Sequence, residues 1–340
     1  MNTSRLLLVA APAPEHDLEG HPERAARVPA IRAALAADPL TNALPVTTPA
    51  LASEAQVLRV HTAEHLAFLE GALAQAPAYI DHAPTYITAG SLEAARRAAG
   101  GACALVDALV AGDAEAGFAL IRPPGHHAPP EQAMGFCLFN NVAIAARQAQ
   151  ARGLERVLIV DFDVHHGNGT QDVFADDPSV QFVSLHQEGI YPLTGAIDET
   201  GVDNIYNLPL PSGAGVSAFL RIADEIVAPL ASRFAPHLLL VSAGYDAHWR
   251  DPLAGLQMTT TGYQALAGRL NRIAHDSCSR RVGFVLEGGY DLQALGSGVV
   301  ASLYGLLGAP TDAPDPLGPA PRREPAIDDV IAQARRLHRL

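Results

Sequence analysis

Lysine is absent from the 340 residues, so all 23 cationic side chains are arginines. Schiff-base catalysis and a phosphate-binding P-loop lysine are therefore excluded together. Cysteine is scarce: Cys103, Cys137 and Cys278 form an odd set without CxxC spacing. That pattern excludes a disulfide frame and points to free thiols in a reducing compartment, here read as the cytoplasm. Positive charge is also short. A net charge of -13 leaves no clustered basic surface to displace counterions, so nucleic acid is not an expected partner. No apolar run approaches membrane-spanning length, so no membrane association is expected. The first such run, Leu6 to Ala11, is too short for a signal segment and meets Pro12, so it reads as a buried strand.

What is present is an apolar share of 49% against 17% charged, enough to bury a sizeable sheet in a single catalytic domain over residues 1–340. Short Val/Ile/Leu-rich runs at Val157–Val160, Gln181–Leu185, Leu238–Ser242 and Val282–Leu286 have turn residues at their ends and helical stretches between them. This alternation predicts an α/β fold with a central, mainly parallel sheet and helices on both faces. Ser91–Val110 predicts a helix with Ser91 as N-cap and Gly112 beyond its end. Asn141–Arg152 predicts another, ending at Gly153. Residues 308–340 read as a Pro-rich tail followed by a short amphipathic helix near Ile327–Leu337.

The chemistry-bearing residues cluster at the predicted strand ends. Asp161-Phe-Asp-Val-His-His-Gly-Asn-Gly169 begins where Val157–Val160 stops. In an extended stretch Asp161, Asp163 and His165 share one face and can converge on a cation. Asp246, just past the strand Leu238–Ser242, supplies a further ligand, because ligands of open α/β sheets gather outside the carboxyl ends of the strands. Two oxygen donors and one nitrogen leave a coordination position open, as catalytic zinc sites do. The same set accepts Fe²⁺ or Mn²⁺, since no thiolate selects for zinc. Arg122-Pro-Pro-Gly-His-His-Ala128 holds tandem imidazoles on a rigid turn, where one can take a proton from water. Leu286-Glu-Gly-Gly-Tyr-Asp291 places the Tyr290 phenol where it can hydrogen-bond a substrate carbonyl. Singly, each motif is compatible with a structural role, and it is their concurrence at adjacent strand ends that points to metal-assisted hydrolysis.

These motifs, together with His21-Pro-Glu-Arg24 and Val60-His61, closely resemble the histone deacetylase and acetylpolyamine amidohydrolase superfamily over nearly the whole chain, in class II-like bacterial form. The resemblance implies an arginase/deacetylase-like fold and Asp163, His165 and Asp246 as zinc ligands. It further implies zinc-dependent hydrolysis of an N-acyl amine by metal-activated water. His127 is the implied general base and acid, His126 a charge-supporting partner oriented by Asp161, and Tyr290 the carbonyl polariser. Asn168 stands where some members pair the second histidine with Asp, which leaves His127 less strongly held as an imidazolium. Phe136 and Tyr191 match the walls of the family's acyl-lysine tunnel, with Gly135 and Gly288 beside them and Leu253 at the rim. A structural potassium ion is implied at Asp161 and Ser184 and at main-chain oxygens of Asp163, His165 and Leu185. The implied substrate is an acyl-lysine peptide or an acetylpolyamine. The short Leu69–Ser91 stretch favours the former, because acetylpolyamine-type members carry a long insertion there. Two rival readings are a two-metal ureohydrolase using spare ligands in Asp246-Ala-His-Trp-Arg-Asp251, and a non-catalytic binder of acyl amines. Oligomeric state is not legible.

Overall fold

The computed structural model describes residues 6–310 and 313–340. Among them, eight strands form one sheet: β1 (Leu6–Ala11), β2 (Val46–Thr47), β5 (Ala116–Ile121), β6 (Val157–Asp161), β7 (Val180–Gln187), β8 (Ile205–Leu210), β9 (Leu238–Ala243) and β10 (Val282–Leu286). A two-residue hairpin, β3 (Ala78–Tyr79) and β4 (Tyr86–Ile87), stands apart. The sheet order is β2-β1-β5-β10-β9-β6-β7-β8 with every pair parallel. The expected sheet is thus entirely rather than mainly parallel. Its predicted strands are buried along most of their length, which is why they are uninterrupted apolar runs instead of alternating ones.

The helices are α1 (Arg27–Ala37), α2 (Glu54–Val57), α3 (Ala63–Ala72), α4 (Ser91–Ala111), α5 (Asn141–Ala151), α6 (Asn168–Phe174), α7 (Val216–Ile222), α8 (Ala228–Phe234), α9 (Thr260–Ser277), α10 (Leu292–Leu306) and α11 (Asp328–His338). A five-residue π-turn, Ala223–Val227, joins α7 to α8. The two-residue period of the strands assigns the layers. Gly117 of β5 and Gly283 of β10 face Leu105 of α4. Their neighbours Phe118 and Phe284 point the other way, into a ring cluster with Phe162, Tyr245 and Tyr263 of α9. So α4, packed on α5, covers one face, while α9, packed on α10 and through it on α1, covers the other.

Three helix termini show how local sequence aims the site. The Asn140 side chain accepts from Ala143 N at the start of α5, and Thr259 caps α9 in the same way. Asp291 caps α10 by accepting from Gln293 N and Ala294 N, which fixes the chain directly after Tyr290. The expected cap at Ser91 is corrected: Gly90 occupies the N-cap and Ser91 is the first helical residue. The Ser91 hydroxyl instead accepts from Thr88 N at 2.6 Å and pairs with His16 Nδ1 at 2.6 Å, so it is spent on tertiary contacts. The C-terminal helix forms one residue later than predicted, after a tail without regular structure in its described part.

Candidate active site

Four adjacent central strands, β5, β10, β9 and β6, deliver the motif loops from their carboxyl ends to one place. The loop after β6 carries Asp163 and His165, and the loop after β9 carries Asp246. One donor atom from each lies within 4.8 Å of the others. His165 Nδ1 is 3.1 Å from Asp163 Oδ1 and 3.3 Å from Asp246 Oδ2. Backbone amides fix the other carboxylate oxygens: Gly288 N donates to Asp163 Oδ2 at 2.8 Å and Val164 N to Asp246 Oδ1 at 2.9 Å. Asp246 Oδ2 receives no well-aligned hydrogen bond although it is buried, which leaves it free for a cation. Burial opposes charging of His165, but the adjacent Asp163 and Asp246 carboxylates outweigh it and raise the imidazole to about 10. A group of acids competing for one proton in this way is a donor set suited to a divalent ion. Gly288 is required here: a Cβ would lie 2.1 Å from Asp246 Oδ2 and 2.6 Å from Asp163 Oδ2. It thus touches the carboxylates of the ligand set.

The tandem histidines follow β5, their rings 4.0 Å apart. His126 Nδ1 donates to Asp161 Oδ2 at 2.8 Å, and His127 Nδ1 to Asn168 Oδ1 at 2.8 Å. Asn168 Nδ2 donates to His127 O at 3.3 Å, which orients the amide so that its oxygen faces the ring. The Nδ1 of His127 therefore carries the hydrogen, and Nε2 keeps its lone pair. The two imidazoles are pushed apart in basicity. Burial disfavours the charged form of His126, but Asp161 and Asp163 outweigh it and raise it well above its usual value. For His127 burial, then the neighbouring His126 and His165, all act downward and hold it well below. Their surroundings thus push the basicities of two adjacent imidazoles in opposite directions.

Tyr290 is held by its surroundings without its hydroxyl. The Arg27 guanidinium lies 5.1 Å from the ring centroid and Phe136 stands edge-on at 5.8 Å. Its N–H donates to Asp251 Oδ2 at 2.7 Å. Burial, with Asp246 and Asp163 close enough to add to it, pushes the phenol well above its usual range, so it stays a hydrogen-bond donor. Tyr191 stands edge-on to His127 at 5.1 Å, its hydroxyl buried and without a hydrogen-bond partner among the described residues. Gly135 takes a positive φ of 57° and lies against the His127 ring, where a Cβ would come within 2.4 Å. Leu253 is 40% exposed. Ser184 pairs with Asp161 across β6 and β7, and its hydroxyl meets His186 Nδ1 at 3.0 Å. Leu185 follows it along β7.

Several residues hold the site in ways the sequence did not assign to them. Arg27 donates to the carbonyls of Gly289 and Glu287, anchoring the Tyr290 loop. Glu23 pairs with both Arg27 and Arg122, all three fully buried. Asp81 in the β3–β4 hairpin accepts from Gly135 N at 3.4 Å, beside the aromatic walls. Asp251 accepts from Tyr290 N and Leu253 N. Asp251 is thus tied to the Tyr290 loop, and His248 Nδ1 accepts from Arg250 N. Among the described residues the ligand geometry forms one group of three, so the two-metal reading finds no support.

The sequence matches the family described as histone deacetylase domain over residues 21–306. Histone deacetylase 14, chloroplastic, from Arabidopsis thaliana is 44% identical over 361 residues, covering 98% of this chain and 85% of that protein. The histone deacetylase-like amidohydrolase of Pseudomonas aeruginosa is 38% identical over 302 residues, covering 86% and 79%. The crystal structure of the HDA15 HD domain superposes with a TM-score of 0.86 at 34% identity, covering 97% of this chain and 95% of that one. With the fold, the three-residue ligand set and the tandem histidines in place, these matches make the chain a member of the histone deacetylase family.

Proposed function

We propose that the protein is a zinc-dependent deacylase that hydrolyses the amide of a linear N-acyl amine, with an acyl-lysine peptide as the favoured substrate and an acetylpolyamine as the second choice. The observation that carries this reading is the convergence of the Asp163, His165 and Asp246 donors with a neutral imidazole at His127. A zinc ion held by those three donors supplies Lewis-acid polarisation of the carbonyl and a lowered pKa for water, and Fe²⁺ suits the same set.

The chain's own residues do the rest. His127 Nε2 accepts the proton of the attacking water and returns it to the amine nitrogen as the C–N bond breaks, giving the carboxylic acid and the free amine, which then exchange the acid's proton to become carboxylate and ammonium. Asp161 holds the cationic His126 beside it, stabilising the charge that builds during attack. Tyr290 donates its phenolic hydrogen to the developing oxyanion. Phe136, Tyr191 and Gly135 wall an apolar slot for the linear chain, with Leu253 at its mouth. The pairing of Asp161 with Ser184 supports a structural potassium ion held by those side chains and by main-chain oxygens of Asp163, His165 and Leu185.

The short segment between α3 and α4, occupied by a 3₁₀ turn and the β3–β4 hairpin, favours acyl-lysine over polyamine. The buried free thiols Cys103, Cys137 and Cys278 suit a reducing compartment such as the cytoplasm. No helix among the described residues is long and apolar enough to cross a membrane.

The test is turnover of N-acyl-lysine peptides and N-acetylpolyamines before and after chelation and zinc return, with His127→Ala alongside. Chelator-sensitive, zinc-restored turnover that falls about 10²–10⁴-fold in His127→Ala is expected. Full activity after chelation, or in His127→Ala, would refute the mechanism.

A further inference from the structure

The turn carrying the two histidines rests on a buried carboxylate to which the proposed reaction gives no role. Glu287, at the end of β10, is fully buried. Its Oε2 accepts two consecutive amides of the turn, Gly125 N at 2.6 Å and His126 N at 3.1 Å. Its Oε1 accepts from Ser242 Oγ of β9 at 3.1 Å. The backbone of Glu287 is tied as well: its N–H donates to Ala243 O, and its carbonyl accepts from Arg27. The following residue, Gly288, donates to Asp163 Oδ2. One residue therefore connects the histidine turn, the β9 strand that leads to Asp246 and the loop that fixes Asp163.

The carbonyls of this turn are held from other elements, by Asn141 Nδ2 at Pro123, Thr170 N at His126 and Asn168 Nδ2 at His127, whereas its first amides are given to Glu287. The turn leaves β5 through Pro123 and Pro124, which have no N–H to give, so the amides of Gly125 and His126 are its first two donors. Both point at the same oxygen. A buried amide without an acceptor is costly, and an apolar side chain at 287 would strand two of them. Burial pushes the Glu287 carboxyl up to about 7, a cost tolerated for an acceptor that can take three hydrogen bonds.

We propose that Glu287 is a positioning residue: by clamping the Gly125 and His126 amides it aims the His126 and His127 rings and locks that aim to the loop holding Asp163. The kinetic part rests on the deacylase reading, whereas the structural part does not. Glutamine separates position from charge, since its Oε1 can accept both turn amides while its NH₂ donates to Ser242. Alanine removes the clamp.

The experiment compares wild type, Glu287→Gln and Glu287→Ala by hydrogen–deuterium exchange of the 122–128 segment and by kinetics, each also in a His127→Ala background. In Glu287→Ala the segment should exchange at least about tenfold faster, while Glu287→Gln stays close to wild type. With bound zinc per chain unchanged, kcat in Glu287→Ala should fall about 10²-fold at nearly constant KM, and Glu287→Gln should restore most of it. In the His127→Ala background the same change should cost less than about threefold, because the group it aims is already gone. Exchange of 122–128 unchanged in Glu287→Ala overturns the proposal, as does an equal kcat loss in both backgrounds. If Glu287→Ala does not fold, Glu287→Asp, which retracts the carboxylate by one methylene, takes its place under the same criteria. A wild type that turns over no acyl amine would defeat the deacylase reading alone, with the exchange data still deciding whether Glu287 clamps the turn.

Discussion

Removing a single oxygen at Tyr290 isolates one part of the proposed chemistry. The ring is held by the Arg27 guanidinium at 5.1 Å and by Phe136 at 5.8 Å, and its backbone by Asp251 at 2.7 Å. None of these contacts uses the hydroxyl, so phenylalanine should occupy the same place. Burial keeps the phenol protonated, and the proposed reaction uses it only to donate to oxygen that becomes negative during attack. Loss of one such donor costs about 2.7–4 kcal/mol of barrier, or about 10²–10³ in kcat. Since the ground-state carbonyl gains less from the same donor, KM should change by no more than about threefold. The assay is steady-state hydrolysis of an acyl-lysine peptide at matched zinc content, with a melting curve to confirm that the fold is intact. Undiminished kcat in Tyr290→Phe would refute the oxyanion assignment. A rise in KM at constant kcat would make Tyr290 a binding residue instead.

Gly288→Ala should expel the metal, because its Cβ would lie 2.1 Å from Asp246 Oδ2 and 2.6 Å from Asp163 Oδ2; elemental analysis showing one zinc per chain after dialysis would contradict this. Glu23→Ala leaves Arg27 and Arg122 buried without their carboxylate and should destabilise the fold by about 3–5 kcal/mol, read as a lowered urea midpoint at unchanged slope. Stability should fall on acidification in two stages, because the downward shifts of four buried histidines together exceed the upward shifts of Asp161, at about 6, and of Asp251 and Glu287, at about 7, which burial raises and which act in the opposite direction. Burial holds His16 and His248 at about 4 and His61 and His186 at about 3, so between pH 6.5 and these values the unfolded chain binds more protons and stability drops as pH falls. Although burial opposes its charge, Glu23 is held at about 2 by Arg122, so its contribution is present above pH 4.5 and lost toward pH 2. Urea midpoints that stay flat from pH 7 to 4 would contradict the first stage.

Much of the site was legible because its chemistry is local in sequence. Asp163 and His165 lie two residues apart at a strand end, the histidines are adjacent, and Tyr290 follows a glycine pair, so residue type and spacing point to a metal-assisted hydrolase before any fold is known. The strands at Leu6–Ala11 and Val282–Leu286 were legible to the residue, since a parallel strand covered on both sides must be continuously apolar and stops where polar groups gather. Ser91 shows the limit of local reasoning. Its side chain suits a cap, but Thr88 and His16 compete for the hydroxyl and win.

What the chain determined by itself was therefore the list of candidate site groups and the layered α/β class, because both follow from nearest neighbours and from the two-residue period of a strand. What only the tertiary structure decided was how those groups are held and charged. Glu23 meets Arg122 across 99 residues, and Glu287 meets Gly125 across 162. His126 and His127 are chemically identical neighbours, yet the carboxylates of Asp161 and Asp163 raise the basicity of one, whereas burial and the adjacent His126 and His165 lower that of the other, whose partner Asn168 carries no charge. Such contacts depend on burial and on distances between remote segments, and neither has a signature in the spacing of residues along the chain.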